Sequence, residues 1–173
     1  MNQRLRVLVV AIAIVASIVA SIAASTATLH AQPRIESFGF GLMLGEPTGV
    51  TLKGGLSGNN AWDAMIGTSW LGNLTLGAGY LWNANVFNSN KAGLYFGLGG
   101  VVGIGRGNSI YIKDRKEDED EEATGIGARG VVGFNTIPFR SPVEFFAELD
   151  PIVVLAPSPG VSFMAAIGVR YYP

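Results

Sequence analysis

In eight stretches between Phe38 and Tyr172 the chain keeps a period of two residues, with bulky apolar side chains mostly on one phase and glycine, small or charged residues mostly on the other. Successive side chains of an extended strand point to opposite faces. A pattern held this long therefore restricts the chain to β-structure with two unlike faces. Helix is opposed by the period and by the glycines, each of which costs a helix about 1 kcal/mol relative to alanine.

The stretch 38–56, FGFGLMLGEPTGVTLKGGL, sets Phe38, Phe40, Leu42 and Leu44 against Ser37, Gly39, Gly41 and Met43. Gly45-Glu46-Pro47-Thr48-Gly49 reads as a turn, after which Val50, Leu52, Gly54 and Leu56 oppose Thr51, Lys53 and Gly55. Beyond Ser57-Gly58-Asn59-Asn60, a third strand puts Trp62, Ala64, Ile66, Thr68 and Trp70 opposite Asp63, Met65, Gly67 and Ser69. A fourth carries Leu74, Leu76, Ala78, Tyr80 and Trp82 opposite Thr75, Gly77, Gly79 and Leu81.

The second half repeats the scheme. Leu94, Phe96, Leu98, Val102 and Ile104 alternate with Tyr95, Gly97, Gly99, Val101 and Gly103, and Ile126, Ala128, Val132 and Phe134 with Gly127, Arg129, Val131 and Gly133. Val143, Phe145, Ala147 and Leu149 then oppose Glu144, Phe146, Glu148 and Asp150, and Phe163, Ala165, Ile167, Val169 and Tyr171 oppose Ser162, Met164, Ala166, Gly168, Arg170 and Tyr172. The pattern predicts eight strands, with Pro151 marking a bulge or the end of the seventh.

An even number of antiparallel strands, each roughly 9 to 11 residues long, is what a small transmembrane barrel requires. Only 14% of residues are charged and mean hydropathy is +0.35, which suits a chain whose outer face meets lipid. The register follows from energy: with the faces exchanged, Lys53, Arg129 and Arg170 would meet hydrocarbon at about 2–4 kcal/mol each near the midplane. The fold expected is an all-β, eight-stranded antiparallel up-and-down transmembrane β-barrel.

Such a barrel is just wide enough for side chains to fill its interior, so long inward residues need very small neighbours, which explains the inward glycines. Those long residues are Lys53, Asp63, Arg129, Glu144, Glu148 and Arg170, both signs mixed. They read as a lumen charge network. It is either a polar site or proton path, or a plug of ion pairs holding the barrel closed. Because buried charges must be paired, the plug is the favoured reading. The echo of Ile126-Gly127-Ala128-Arg129 in Ile167-Gly168-Val169-Arg170 fits it, two strands each offering an inward arginine.

Trp62, Trp70, Tyr80, Trp82 and Tyr171 fall on the outward phase, where aromatic rings mark membrane boundaries; with a periplasmic start, Trp70 lies at the opposite boundary from Trp62, Tyr80 and Trp82. The same rings would be equally allowed in the core of a soluble sandwich. The longest connection, 106–122, follows the fifth strand, on the side where external loops are long. Its Glu117, Asp118, Glu119, Asp120, Glu121 and Glu122 form a weak candidate for a divalent cation or for cations bridging lipopolysaccharide. Six consecutive acids lack the glycine and oxygen spacing of an EF-hand loop, and a solvated loop is the simpler reading.

The N-terminus reads as an export signal helix. Arg4 and Arg6 precede an apolar run from Val7 to Ala24, and a small, polar stretch comes after it. Cleavage is expected after Ala31, with Ala27 the second candidate, leaving 32–173 as the barrel domain. The alternative is an uncleaved anchor, since the run lies at the lower length limit for spanning a bilayer. Removing Arg4 and Arg6 from the 12 basic residues leaves 10 against 13 acidic ones, too few for a nucleic-acid footprint.

Catalysis is poorly supported. There is no cysteine, and the one histidine, His30, lies in the segment expected to be removed. Histidine-based triads and histidine or thiolate metal sites are thereby excluded from the mature chain. Glu144 and Glu148, four residues apart on one strand, would stand about 13 Å apart at about 3.3 Å per residue, too far for joint acid–base work. No enzyme activity, cofactor or metal is expected.

Three stretches carry a resemblance: FGFGLMLGEPTG at 38–49, VEFFAELDP at 143–151 and AIGVRYY at 166–172. They resemble a family of small, largely uncharacterised bacterial outer-membrane β-barrel proteins. The resemblance spans nearly all of the mature chain. It implies an outer-membrane location and brings no activity with it. Barrels of this kind commonly end in an aromatic residue read by the outer-membrane assembly machinery, whereas this chain ends in Pro173, leaving Tyr171 and Tyr172 as substitutes. Three functions stay open: a monomeric structural or surface-interaction barrel meeting outer-membrane lipid and lipopolysaccharide, a narrow pore for ions or small solutes, and a soluble periplasmic lipocalin-like carrier. The last needs polar outward faces and an apolar interior.

Overall fold

The computed structural model describes residues 38–56, 58–84, 92–105, 124–138 and 141–173. The expected signal at 1–31 and the whole of the 106–122 connection, its acidic run included, lie outside the described residues. Eight strands succeed one another in chain order: β1 (Phe38–Gly45), β2 (Thr48–Gly55), β3 (Asn60–Ser69), β4 (Gly72–Ala84), β5 (Ala92–Ile104), β6 (Gly125–Thr136), β7 (Val143–Ala156) and β8 (Gly160–Tyr171). Each pairs antiparallel with the next, and β8 returns to β1, closing the barrel. Closure removes the unpaired edges that an open sheet would present.

Alternation sorts the two faces as the sequence implies. Phe40, Leu42 and Leu44 point outward from β1, while Gly39 and Met43 are buried. Across the closing seam Phe40 stands opposite Tyr171, and Leu42 opposite Val169. One-residue slippage at this seam would carry Arg170 to the outer wall.

Element ends differ from expectation in physically readable ways. The turn between β1 and β2 shrinks to Glu46 and Pro47, because the Thr48 hydroxyl donates to the Gly45 carbonyl at 2.8 Å and accepts from the Gly45 N–H at 3.1 Å. Pairing therefore resumes at Thr48. Pro151 neither ends β7 nor bulges it; the strand runs on to Ala156, with Pro151 opposite Phe163 of β8. Its missing N–H falls on the β6 side, where the ladder passes from Arg129↔Ile152 to Val132↔Leu149. Gly130 makes room there, since a Cβ on it would lie 3.0 Å from Pro151 Cγ. The irregularity in β7 comes later, at Leu155, which stands between Val154 opposite Gly127 and Ala156 opposite Ile126.

One rim carries the β1–β2, β3–β4 and β7–β8 turns. The other carries the start of β1 and the end of β8. Toward the turn rim the interior is apolar, with Met43, Met65, Leu71, Val101, Phe146, Ile152, Val154, Met164 and Ala166 in one cluster. Ala61, Leu81, Tyr95 and Val131 form a smaller one.

Inward glycines make this filling fit. A Cβ on Gly133 would overlap the Tyr95 ring, and one on Gly168 would overlap the Phe146 ring. A ring held between strands has no staggered alternative without displacing its neighbours. Gly133→Val is accordingly expected to cost about 1–3 kcal/mol through overpacking, measured as a lower denaturation midpoint.

Candidate functional site

Lys53 of β2, Asp63 of β3, Arg129 of β6, Glu144 and Glu148 of β7 and Arg170 of β8 all lie in the lumen, each between 0 and 5% exposed. Inward phase alone brings them there, because each occupies the same parity as the glycines of its strand or of the strand beside it. Cross-strand register sets Lys53 opposite Asp63 along the strands, yet the charged ends part, Lys53 turning to Glu144 and Asp63 to Arg129.

The two arginines of the repeated tetrapeptide are the hubs. Arg129 Nη1 donates to Asp63 Oδ2 at 2.7 Å, and its Nε donates to Asp150 Oδ2 at 2.7 Å. Its Nη2 stands 3.5 Å from Glu148 Oε2. Arg170 Nη2 donates to Glu148 Oε1 at 2.8 Å, and its Nη1 lies 3.5 Å from Glu144 Oε1. Glu148 thus joins the hubs. Lys53 Nζ closes the far side, 3.3 Å from Glu144 Oε1.

Four groups outside the expected network complete it. Asp150 supplies the third carboxylate on Arg129. Tyr95 donates its hydroxyl to Glu148 Oε1 at 2.6 Å while its ring lies under the Lys53 ammonium, 4.3 Å from Nζ to the centroid. Tyr172 donates its hydroxyl to Glu144 Oε2. Thr51 Oγ1 accepts from Arg170 Nε at 3.1 Å and Nη2 at 3.0 Å. All four stand on the inward phase, which is the signal the sequence offers. The Phe146 ring also stacks under the Arg170 guanidinium, 3.7 Å from Cζ.

Hydrogen bonds to charged groups contribute about 1.5–3 kcal/mol. Tyr95→Phe is therefore expected to lower stability by about that amount, because it keeps the ring under Lys53 and removes only the donor to Glu148. Comparing denaturation midpoints of the two proteins checks it.

Among the aromatic residues, Trp62, Tyr80, Trp82 and Tyr171 lie near strand ends at the rim where β1 starts. Each makes a ring contact there, in two pairs and a trio: Phe38 with Trp62 at 5.9 Å, Phe40 with Tyr171 at 5.9 Å, and Trp82 with both Tyr80 at 5.1 Å and Phe96 at 5.8 Å. Trp70 departs from its expected outward place. Pairing of β3 with β4 slips between Gly67 and Ser69, and a slip of one residue changes the facing of the residues beyond it. Trp70 then packs against the apolar cluster, its backbone N–H donating to Glu46 Oε2 at 2.9 Å.

Chemically, the arrangement is a tightly coupled set of ion pairs shielded from solvent. Among the described residues no group of three or more His, Cys, Asp or Glu is arranged to hold a metal ion. Glu144 and Glu148, expected about 13 Å apart from strand spacing, both turn toward the Arg170 guanidinium, which draws their carboxylates closer together than that. The chain was compared with protein-family models, with curated proteins and with solved structures, and none of the three comparisons gave a match.

Proposed function

We propose that this protein is a small outer-membrane β-barrel, exported by its N-terminal signal, with a filled polar lumen and a structural or surface-interaction role. The carrying observation is the inversion of its two faces. Leu42, Leu44, Leu155, Phe163 and Ile167 are 58–63% exposed on the outer wall, whereas the network charges inside are at most 5% exposed. Water-soluble monomers rarely present a continuous apolar surface on this scale, and lipid is the solvent that suits it. A closed barrel satisfies every backbone group between strands, as a bilayer demands.

A lipocalin-like carrier would need the opposite placement, and the lumen's ion pairs occupy the space a ligand would take. The partners that fit are outer-membrane lipid and lipopolysaccharide around a monomer, with the assembly machinery acting during insertion. The filled interior separates this reading from a pore. Reconstituted into planar bilayers, the full chain is expected to leave conductance at the level of the bare membrane. A steady single-channel current would replace the structural role with conduction.

A further inference from the structure

Among the described residues, six buried side-chain atoms have no hydrogen-bond partner, and four of them belong to one guanidinium and the acids gathered on it: Arg129 Nη2, Asp63 Oδ1, Glu148 Oε2 and Asp150 Oδ1. Their residues are between 1 and 5% exposed. Buried polar atoms find partners in protein or in ordered water. We propose that the lumen holds a water-binding site at Arg129, where an ordered water accepts from Nη2 and donates to the free carboxyl oxygens around it, Glu148 Oε2 first.

The distances ask for such a bridge. Nη2 and Glu148 Oε2 stand 3.5 Å apart, whereas a direct charge-assisted bond closes to about 2.7–2.9 Å. Neither end is free to move. Arg129 is held by Asp63 and Asp150 at 2.7 Å each, and Glu148 is held through Oε1 by Arg170 at 2.8 Å and by the Tyr95 hydroxyl at 2.6 Å. A water reaching both atoms from the side is nearly as favourable as the direct bond.

Cross-strand register keeps side chains out of the way. Asp63 of β3 faces Gly79 of β4, Gly79 faces Gly99 of β5, and Gly99 faces Arg129 of β6. The Asp63–Arg129 ion pair therefore spans a stretch of wall made of two glycines. A Cβ on Gly79 would lie 2.6 Å from Asp63 Oδ1, one of the unpartnered oxygens.

Arg170 is completed differently. The Thr51 hydroxyl accepts from its Nε and Nη2, and Glu144 accepts from its Nη1. No hydroxyl reaches Arg129 Nη2, so water takes at Arg129 the part that Thr51 takes at Arg170. The mixed lining selects the ligand. A cation would meet the guanidinium and an anion the three acids, whereas water accepts from the one and donates to the others; internal waters typically make about three such bonds. The plug is wet around Arg129 and dry around Arg170, whatever solvent surrounds the outer wall.

The test is a crystal structure of the full chain, grown from whichever medium keeps it folded, at a resolution that shows ordered water. The expected result is a water peak within about 2.7–3.2 Å of both Arg129 Nη2 and Glu148 Oε2, with none between Arg170 and Thr51. A direct Nη2–Oε2 bond with no peak beside it overturns the proposal, as does a metal ion in that place, recognised by its anomalous signal. In solution, a nuclear Overhauser effect from water to the Arg129 guanidinium protons, missing at those of Arg170, is expected as well. Its absence at Arg129 would likewise remove the site.

Discussion

Arg129→Met is expected to destabilise the barrel by about 3–5 kcal/mol, the usual cost of removing one partner from a buried ion pair. The magnitude belongs at the upper end because three acidic side chains lose their shared cation together: Asp63 and Asp150 each at 2.7 Å and Glu148 at 3.5 Å. Methionine fills much of the vacated volume, so the loss reports charge rather than a cavity. Equilibrium unfolding in denaturant, with urea midpoints compared for wild type and variant, measures it. A midpoint within error of wild type would show that the guanidinium is not what holds these carboxyls inside.

Leu98→Arg is expected to cost about 2–4 kcal/mol in a bilayer, the range for a cation near the midplane of the lipid face. Leu98 lies midway along β5, is 50% exposed and stands between Tyr80 and Gly130, so the substitution disturbs no buried packing. On a wall facing water the same change would fall within about 0.5 kcal/mol of zero. Folding the two proteins into lipid vesicles and comparing their unfolding midpoints separates the two values. The size of the effect therefore identifies the solvent of the outer wall.

The number of strands, their order and the facing of nearly every residue follow from the period of two. Lys53, Arg129 and Arg170 could be placed inside because a charge and its neighbours share one parity along each strand. Partner choice was not legible in the same way. Whether Arg129 meets Asp63 across the lumen or Glu148 near its own wall depends on the stagger of the closed sheet, which no single strand encodes. Asp150 and Tyr95 show the limit: their inward facing was readable, but their attachment to Arg129 and Glu148 needed the register of several strands at once.

Local chemistry explains the remaining differences. Thr48 reads as a turn residue, yet its hydroxyl closes the turn on Gly45 and frees its backbone for the ladder. Pro151 reads as a strand breaker, yet its ring faces a glycine and its missing N–H coincides with a gap in the ladder to β6. Trp70 lost its expected facing to a slip just before it in β3, a feature that period alone does not reveal.

Placement in the outer membrane is tested most directly by fractionating cells that express the full chain and running the membrane fraction on a denaturing gel, unboiled and boiled. A band in the outer-membrane fraction whose mobility changes on boiling is the expected result, because a closed barrel resists detergent until it is heated. A soluble periplasmic protein, or one held in the inner membrane by an uncut N-terminus, would contradict the lipid-facing wall.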